Sequence, residues 1–150
     1  MSMTGRTRPV IPALNGIYPQ ATEWAYLLLR VTAGLMLLPH VWPKLMMGPA
    51  AVAANMMAKR GVEPAMVAAW LAIIVELGGA IFITLGLFTR PIALLVAIEF
   101  VVIAKTHLVF GWGAGGGGAE YVILWLIVFL FILARGGGPY SLDAKLGREV

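Results

Sequence analysis

The chain has 150 residues, of which 61% are hydrophobic and 12% are charged, with a mean hydropathy of +0.91 and a formal net charge of +4. Because so few polar side chains cannot cover a soluble globule of this size, composition excludes that class and indicates an integral membrane protein. Nucleic-acid binding is also disfavoured, since the basic residues flank apolar runs without forming a continuous patch.

Four apolar runs approach the roughly 20 residues that a helix needs to cross about 30 Å of hydrocarbon. In chain order they are Trp24 to Met47, Met66 to Phe88, Pro91 to Phe110 and Ala119 to Ala134. The sequence therefore predicts an all-α membrane protein, an antiparallel bundle of four transmembrane helices. Residues 24–135 would form the transmembrane domain between a tail at 1–23 and a second tail at 136–150.

Basic residues predict the orientation of this bundle. Most of them fall on the side that holds both tails, whereas only Lys59 and Arg60 clearly fall on the other side, so both termini should be cytoplasmic. The tail before Trp24 contains Arg6 and Arg8 but lacks the apolar core of a signal peptide, and no cleavage is expected. The absence of cysteine excludes disulfides, thiolate metal sites and thiol redox chemistry by this chain, so electron transfer would require a bound cofactor or partner.

The connections between the runs carry further signals. Pro39 and Pro43 interrupt the first run and predict a kink, because each frees the carbonyl four residues earlier. The stretch from Gly48 to Ala65 predicts either a short interfacial helix or a simple loop. Only Thr89 and Arg90 separate the second and third runs, which predicts a tight antiparallel hairpin. The glycine-rich stretch GWGAGGGGAE predicts a flexible loop before the fourth run.

Charged residues lie inside these apolar runs, and their signs balance. A charge at the bilayer centre costs at least about 2.5 to 3.5 kcal/mol, so such residues normally face the bundle interior, pair with one another and mark a functional site. The basic members are Arg30, Lys44 and Lys105, and the acidic members are Glu76, Glu99 and Glu120.

Helical rise and phase divide these charges into two groups. Arg30, Glu76 and Glu99 fall at a similar depth near the cytoplasmic side, which predicts an inner cluster. In one interpretation Arg30 bridges Glu76 or Glu99 and only fixes helix register. In the other, two carboxyls facing one cation leave a surplus negative charge, and one Glu stays protonated as a proton-transfer site.

The outer group lies nearer the opposite membrane face. Here His107, His40, Lys44 and Glu120, together with Tyr121, are predicted to line an outward-opening pocket for a small polar headgroup. The alternative is that each histidine bonds only a backbone carbonyl. A haem between the two histidines is disfavoured, because two histidines alone do not specify haem, and no metal site is predicted. Lys105 lies off the interior face and should reach the outer interface or a neighbouring protomer.

The order of several short motifs resembles the DoxX family of small four-helix membrane proteins. The motifs are LLRVTAGLMLLPHVWPKL, ELGGAIFITLGLFTRP, KTHLVFGW, GGGGAEYVILW and GPYSLD, and the likeness runs from about Leu28 to Gly147. The resemblance implies an antiparallel four-helix bundle in the cytoplasmic membrane, the inner membrane of a bacterium. The family takes its name from a subunit associated with quinone reduction, and its relatives include oxidoreductase subunits and assembly factors, so function follows only by analogy.

From this resemblance we expect the membrane subunit of a quinone-linked oxidoreductase system, with a quinone as the cofactor. The predicted catalytic residues are Glu76, His107 and Glu120, with either Glu76 or the pair of Glu120 and His107 relaying protons. The predicted ligand-binding residues are Arg30, His40, Lys44, Glu99, Lys105 and Tyr121. The alternative is a non-catalytic anchor or assembly subunit, and transport of a small solute ranks third. The expected partners are the lipid bilayer, other membrane or redox proteins, and further copies of the chain.

Overall fold

The computed structural model describes residues 16–113 and 118–147, and the regular structure within these two ranges is helical throughout. The main helices are α1 (Tyr18–Leu35), α2 (Leu38–Met47), α3 (Pro49–Val52), α4 (Ala65–Leu85), α5 (Thr89–His107), α6 (Ala119–Arg135) and α7 (Leu142–Leu146). A π-helical turn at Ala53–Met57 and a 3-10 turn at Ala58–Arg60 continue α3, and a 3-10 turn at Leu108–Phe110 extends α5. The predicted interfacial segment is thus helical rather than a simple loop.

Helices long and apolar enough to cross a membrane occur at Tyr18–Met47, Ala65–Leu85 and Thr89–Phe110. They coincide with the first three apolar runs and confirm an all-helical, membrane-spanning chain. The fourth run forms α6, which has 17 residues. At about 1.5 Å per residue α6 is about 25 Å long, at the short end of the range for a span.

The expected kink in the first run is present as a break between α1 and α2. Helix α1 ends at Leu35, four residues before Pro39, and Met36 and Leu37 separate it from α2. Proline has no N–H to donate to the carbonyl of Leu35, so the α-helical ladder cannot continue there. Pro43 lies inside α2 without ending it.

Small residues bring α1 and α4 close together. A Cβ added at Gly34 would lie 2.7 Å from the backbone nitrogen of Thr84, and one at Gly79 would lie 2.6 Å from Leu37. One face of α4 is buried along its length, at Ala69, Ala72, Glu76, Gly79, Ala80 and Ile83. Close packing of backbones through small residues is the way helices associate in lipid. On the other side of the bundle α5 packs along α6 around the buried side chains of Val96, Phe129 and Ile132.

The hairpin between α4 and α5 is tight, but its predicted linker was wrong. Gly86, Leu87 and Phe88 connect the helices, and Thr89 and Arg90 are the first residues of α5. Gly86 ends α4 in the left-handed conformation, at φ 66°. Thr89 begins α5 because its backbone N–H and its hydroxyl both donate to the carboxylate of Asp143.

Both described ends of the chain meet at the end of the bundle that holds this hairpin, which we call the hairpin end. Arg135 at the end of α6 forms an ion pair with Glu23 in α1 at 2.5 Å, and the Tyr26 hydroxyl donates to the carbonyl of Gly136. The predicted tail at 1–23 is helical from Tyr18 onward. The predictions for Arg6, Arg8 and residues 114–117 of the glycine-rich loop lie outside the described residues.

Candidate ligand cavity and its buried ion pair

A cavity of about 690 Å³ lies in the half of the bundle opposite the hairpin end, among α2, α4, α5 and α6. We call this half the cavity end. Its walls are mostly apolar, with a few polar side chains among them. Six residues predicted from the sequence line it: His40, Lys44, Glu76, Glu99, His107 and Tyr121. A mainly apolar pocket with a few convergent polar groups is typical of a small-molecule site.

Lys44 and Glu76 form a buried ion pair in the cavity wall. The Lys44 ammonium donates to both carboxylate oxygens of Glu76, at 2.5 and 2.6 Å, and to the carbonyl of His40 at 3.2 Å. Lys44 is 8% exposed and Glu76 is 3% exposed. The two charges therefore compensate each other where neither would be stable alone.

The predicted inner cluster was wrong in its placement of Arg30, whereas Glu76 and Glu99 do lie close enough to interact. The guanidinium of Arg30 instead donates to the carbonyls of Ile83 and Thr84, at 2.6 and 2.9 Å, and to that of Tyr140 at 3.0 Å. The last carbonyls of a helix lack intrahelical donors and carry the negative end of the helix dipole, so the end of α4 attracts this cation. Glu76 lies seven residues from Ile83, about 10 Å farther along the helix, beyond the reach of Arg30.

The predicted placement of Lys44 at the outer boundary beside Glu120 was also wrong. Side chains on a helix tilt toward its N-terminus, and the long stem of lysine carries the charge back by about one turn. Depth estimated from Cα positions therefore placed the ammonium too far outward. Its contact with the carbonyl of His40, four residues earlier, shows this backward direction.

Glu99 on α5 is the polar residue of the cavity whose hydrogen bonding is incomplete. Its side chain is half-buried, and its Oε2 atom is buried without a hydrogen-bond partner within the described ranges. Glu99 lies close enough to Glu76 and Lys44 to interact with both electrostatically. Since Lys44 already donates to both oxygens of Glu76, the ion pair leaves Glu99 uncompensated.

The two histidines stand at different places on the cavity wall. Nδ1 of His107 lies 2.9 Å from the carbonyl of Ile103 and 3.3 Å from the hydroxyl of Thr106. In the neutral ring Nδ1–H donates to that carbonyl, which leaves Nε2 as an acceptor. His40 is exposed on α2 and directly follows Pro39. Among the described residues no group of three or more His, Cys, Asp or Glu could hold a metal ion.

Aromatic rings form one side of the cavity. Tyr121, Trp125 and Phe100 line it, and the rings of Tyr121 and Trp125 meet edge to face with centroids 6.1 Å apart. Neither Glu120 nor Lys105 is part of the lining: Glu120 lies in the first turn of α6, and Lys105 is exposed on α5.

Apolar residues that line the cavity are also exposed on α4 and α5. They are Val67 and Leu71 on α4, and Ile98 and Val102 on α5, which are 54%, 56%, 53% and 41% exposed. Because both helices are long and apolar enough to cross a membrane, the cavity reaches their apolar surface.

Sequence reasoning missed the role of Asp143, which is 4% exposed. Its carboxylate accepts hydrogen bonds from the N–H groups of Phe88 and Thr89, and its own N–H donates to the carbonyl of Gly86. An acidic side chain at a helix N-terminus is favoured by the dipole. The Ser-Leu-Asp sequence at 141–143 carries the usual signal of a cap, but for its own short helix α7. Nothing in it indicates a second helix.

Comparisons with known proteins give a consistent result. The model of the DoxX family matches residues 25–112. The inner membrane protein YphA of Escherichia coli (strain K12) is 32% identical over 129 residues, covering 79% of this chain and 88% of that protein. An uncharacterised protein of Haemophilus influenzae is 31% identical over 83 residues, covering 51% of this chain and 60% of that protein. No solved structure shows a significant match.

Proposed function

The chain belongs to the DoxX family and lies in the bacterial inner membrane, and from its cavity we propose that it is the membrane subunit of a quinone-linked oxidoreductase system. The cavity would hold a quinone-like ring between the ion pair and the aromatic wall. The observation that carries the proposal is a cavity of about 690 Å³ whose apolar walls contain a buried ion pair and an uncompensated carboxyl. Its volume falls in the range of about 300 to 1,000 Å³ typical of small-molecule sites.

The lining fits the two ends of such a molecule. A quinone ring presents flat apolar faces and carbonyl oxygens that accept hydrogen bonds. The rings of Phe100 and Trp125 supply apolar surface, while Tyr121 and the histidines supply polar groups at the rim of the same space. The exposed apolar lining residues of α4 and α5 would give an apolar tail a route into the hydrocarbon.

When bound, the quinone supplies the capacity to accept two electrons and two protons. The protein's own groups would position the ring and hold protons near it. His107 is fixed by its bond to Ile103, and the ion pair of Lys44 and Glu76 keeps the wall polar without net charge. The electrons would come from a partner protein, because the chain has no cysteine for thiol redox chemistry.

Binding can be measured on the full-length protein in mild detergent with a short-chain ubiquinone. Trp125 lines the cavity, so quenching of tryptophan fluorescence should report occupancy, and Trp125→Phe should remove part of the signal. At a ligand concentration 100 times the Kd, the free energy of unfolding should rise by about 2.7 kcal/mol. Extraction of the purified protein with organic solvent should also release native quinone.

His107→Ala should weaken binding while leaving abundance normal, because it removes a polar group of the wall from a position that is only half-buried. Glu23→Gln, at the hairpin end, is the matched control and should bind like the wild type. If ubiquinone neither binds nor stabilises the wild type, and none co-purifies, the quinone proposal fails. An intact protein with no bound ring would favour the second candidate, an anchor or assembly subunit.

For the topology we propose four crossings, with both termini in the cytoplasm. Helix α6 packs along α5 and ends in Arg135 at the hairpin end, as a fourth span would. Arg90, Arg135 and Lys145 lie at or after that end, whereas Lys59 and Arg60 precede α4 at the cavity end. This excess of basic residues favours the cytoplasmic side for the hairpin end.

The absence of cysteine makes this topology directly testable. Single variants Lys59→Cys and Lys145→Cys can be labelled in intact cells with a membrane-impermeant thiol reagent that crosses the outer membrane. Lys59→Cys should be labelled in intact cells, and Lys145→Cys only after the inner membrane is opened. The reverse pattern would invert the orientation, and labelling of both positions in intact cells would exclude four crossings.

A further inference from the structure

Glu99 differs from Glu76, Glu23 and Asp143 in what surrounds it. Glu76 has Lys44, Glu23 has Arg135, and Asp143 has the first N–H groups of α5. The buried Oε2 of Glu99 has no such partner in the part of the chain that the structure describes. An ionised carboxylate there would be a second negative charge beside an ion pair that is already neutral, which is strongly unfavourable in a mostly apolar cavity.

The groups that face this part of the cavity come from every surrounding element. Lys44 and His40 belong to α2, Arg60 and Glu63 to the segment before α4, Glu76 to α4, His107 to α5 and Tyr121 to α6. Of the two basic residues, Lys44 is buried and interacts electrostatically with Glu99, whereas Arg60 is exposed. Lys44 already donates to both oxygens of Glu76 and to a backbone carbonyl. Its three N–H donors are therefore occupied.

From this arrangement we infer that Glu99 is a neutral carboxylic acid that donates its hydrogen bond to an acceptor oxygen of the bound ligand. The inference rests on the proposed quinone site and adds to it the residue that selects the ligand. It assigns the ligand contact to Glu99 rather than to Glu76, whose oxygens the ion pair occupies. The preferred ligands are then uncharged rings with a carbonyl oxygen, because Lys44, the cation that interacts with Glu99, is already paired with Glu76.

The donor role of Glu99 has a direct spectroscopic signature. A carboxylic acid absorbs in the infrared at a frequency distinct from that of a carboxylate, and a new hydrogen bond shifts that band. Adding short-chain ubiquinone to the wild-type protein should shift one carboxylic acid band. Glu99→Gln should lack that band, whereas Glu23→Gln should retain it.

Ubiquinone binding by two variants tests whether Glu99 acts as a hydrogen-bond donor or only fills space. Glu99→Gln keeps an N–H donor and should bind within about threefold of the wild type. Glu99→Leu removes the donor and should bind about tenfold more weakly, the usual effect of losing one hydrogen bond. A thermal unfolding scan of each variant shows whether it is folded before its binding is compared.

The outcomes distinguish this inference from the proposed function. If the wild type binds ubiquinone but Glu99→Leu binds equally well, the quinone site stands and the role of Glu99 is overturned. The same conclusion follows if the ring binds without shifting any carboxylic acid band. If the wild type binds no ubiquinone at all, the proposed function fails and this inference fails with it.

Discussion

The two ends of the bundle handle buried charge in different ways. At the hairpin end the charges are absorbed by helix termini: Arg30 bonds the last carbonyls of α4, and Asp143 bonds the first N–H groups of α5. At the cavity end Lys44 and Glu76 neutralise each other, and Glu99 remains uncompensated beside an open cavity.

This difference indicates a division of labour. The hairpin end has short, closed contacts among α1, α4, α5 and the segment before α7, so it should contribute mainly to stability. The cavity end keeps polar groups available next to empty space, an arrangement that lowers stability and suits a binding site. Stability and binding should therefore respond to different substitutions.

The largest loss of stability is expected for Arg30→Ala. Arg30 is 1% exposed, and its removal both leaves a cavity and deletes three charge-assisted hydrogen bonds to carbonyls. We expect the free energy of unfolding to fall by about 4 kcal/mol, with low abundance in the membrane. Unfolding in mixed detergent and denaturant, followed by circular dichroism, measures the change.

Arg30→Lys is the informative companion. The planar guanidinium of arginine donates in several directions at once, whereas a lysine ammonium is a compact point charge. The Arg30→Lys variant should therefore recover only part of the lost stability. Full stability in Arg30→Lys would show that charge alone matters at this position. If Arg30→Ala were as stable as the wild type, the assignment of stability to the hairpin end would be wrong.

The next largest effect is expected for Lys44→Met, at about 3 kcal/mol, because it strands Glu76 in the wall of the cavity. The double variant with Glu76→Met removes both charges and should regain most of that stability. A double-mutant cycle on the unfolding free energies measures the coupling. Additive effects would mean that Lys44 and Glu76 are not paired, and a strong coupling of Glu76 to Arg30 instead would restore the cluster predicted from the sequence.

A smaller loss, about 2 kcal/mol, is expected for Asp143→Asn. The amide can accept through only one oxygen, so it cannot serve the N–H of Phe88 and the N–H and hydroxyl of Thr89 together. Thermal unfolding in detergent measures the loss, and ubiquinone binding should stay at the wild-type level. A variant of normal stability with impaired binding would contradict the separation of the two ends.

The sequence predicted the helices and their buried faces better than the partners of the charges. Arg30, Lys44 and Glu76 were expected to face the bundle interior because of helical periodicity, which is a local property of the chain, and all three are buried. Pairing depends on helix register and on side-chain direction, and neither can be read from spacing. Estimated depths placed Arg30 level with Glu76, but the close approach of Gly34 to Thr84 sets a different register.

The capping role of Asp143 illustrates a second limit. Its partners lie 54 and 55 residues earlier in the chain, and the contact exists only because the segment after α6 folds back onto the hairpin. The cavity was predictable in part, since His107, His40 and Tyr121 were expected around one pocket. Glu76 and Trp125 also line this cavity. Their contribution depends on how the helices pack against one another at the cavity end, which the local sequence pattern does not reveal.

The smallest loss of stability is expected for Glu63→Gln. Glu63 is the counterpart of Asp143 at the cavity end, so the two variants compare an exposed cap with a buried one. Glu63 accepts a hydrogen bond from the N–H of Ala65 at the start of α4, at 2.8 Å, but it is exposed. Water can replace an exposed cap, so the loss should be about 0.5 kcal/mol or less, against about 2 kcal/mol for the buried cap at Asp143. Parallel thermal unfolding of the two variants gives the ratio directly. Equal losses would show that both ends hold their helix termini with the same strength, and the assignment of stability to the hairpin end would then be wrong.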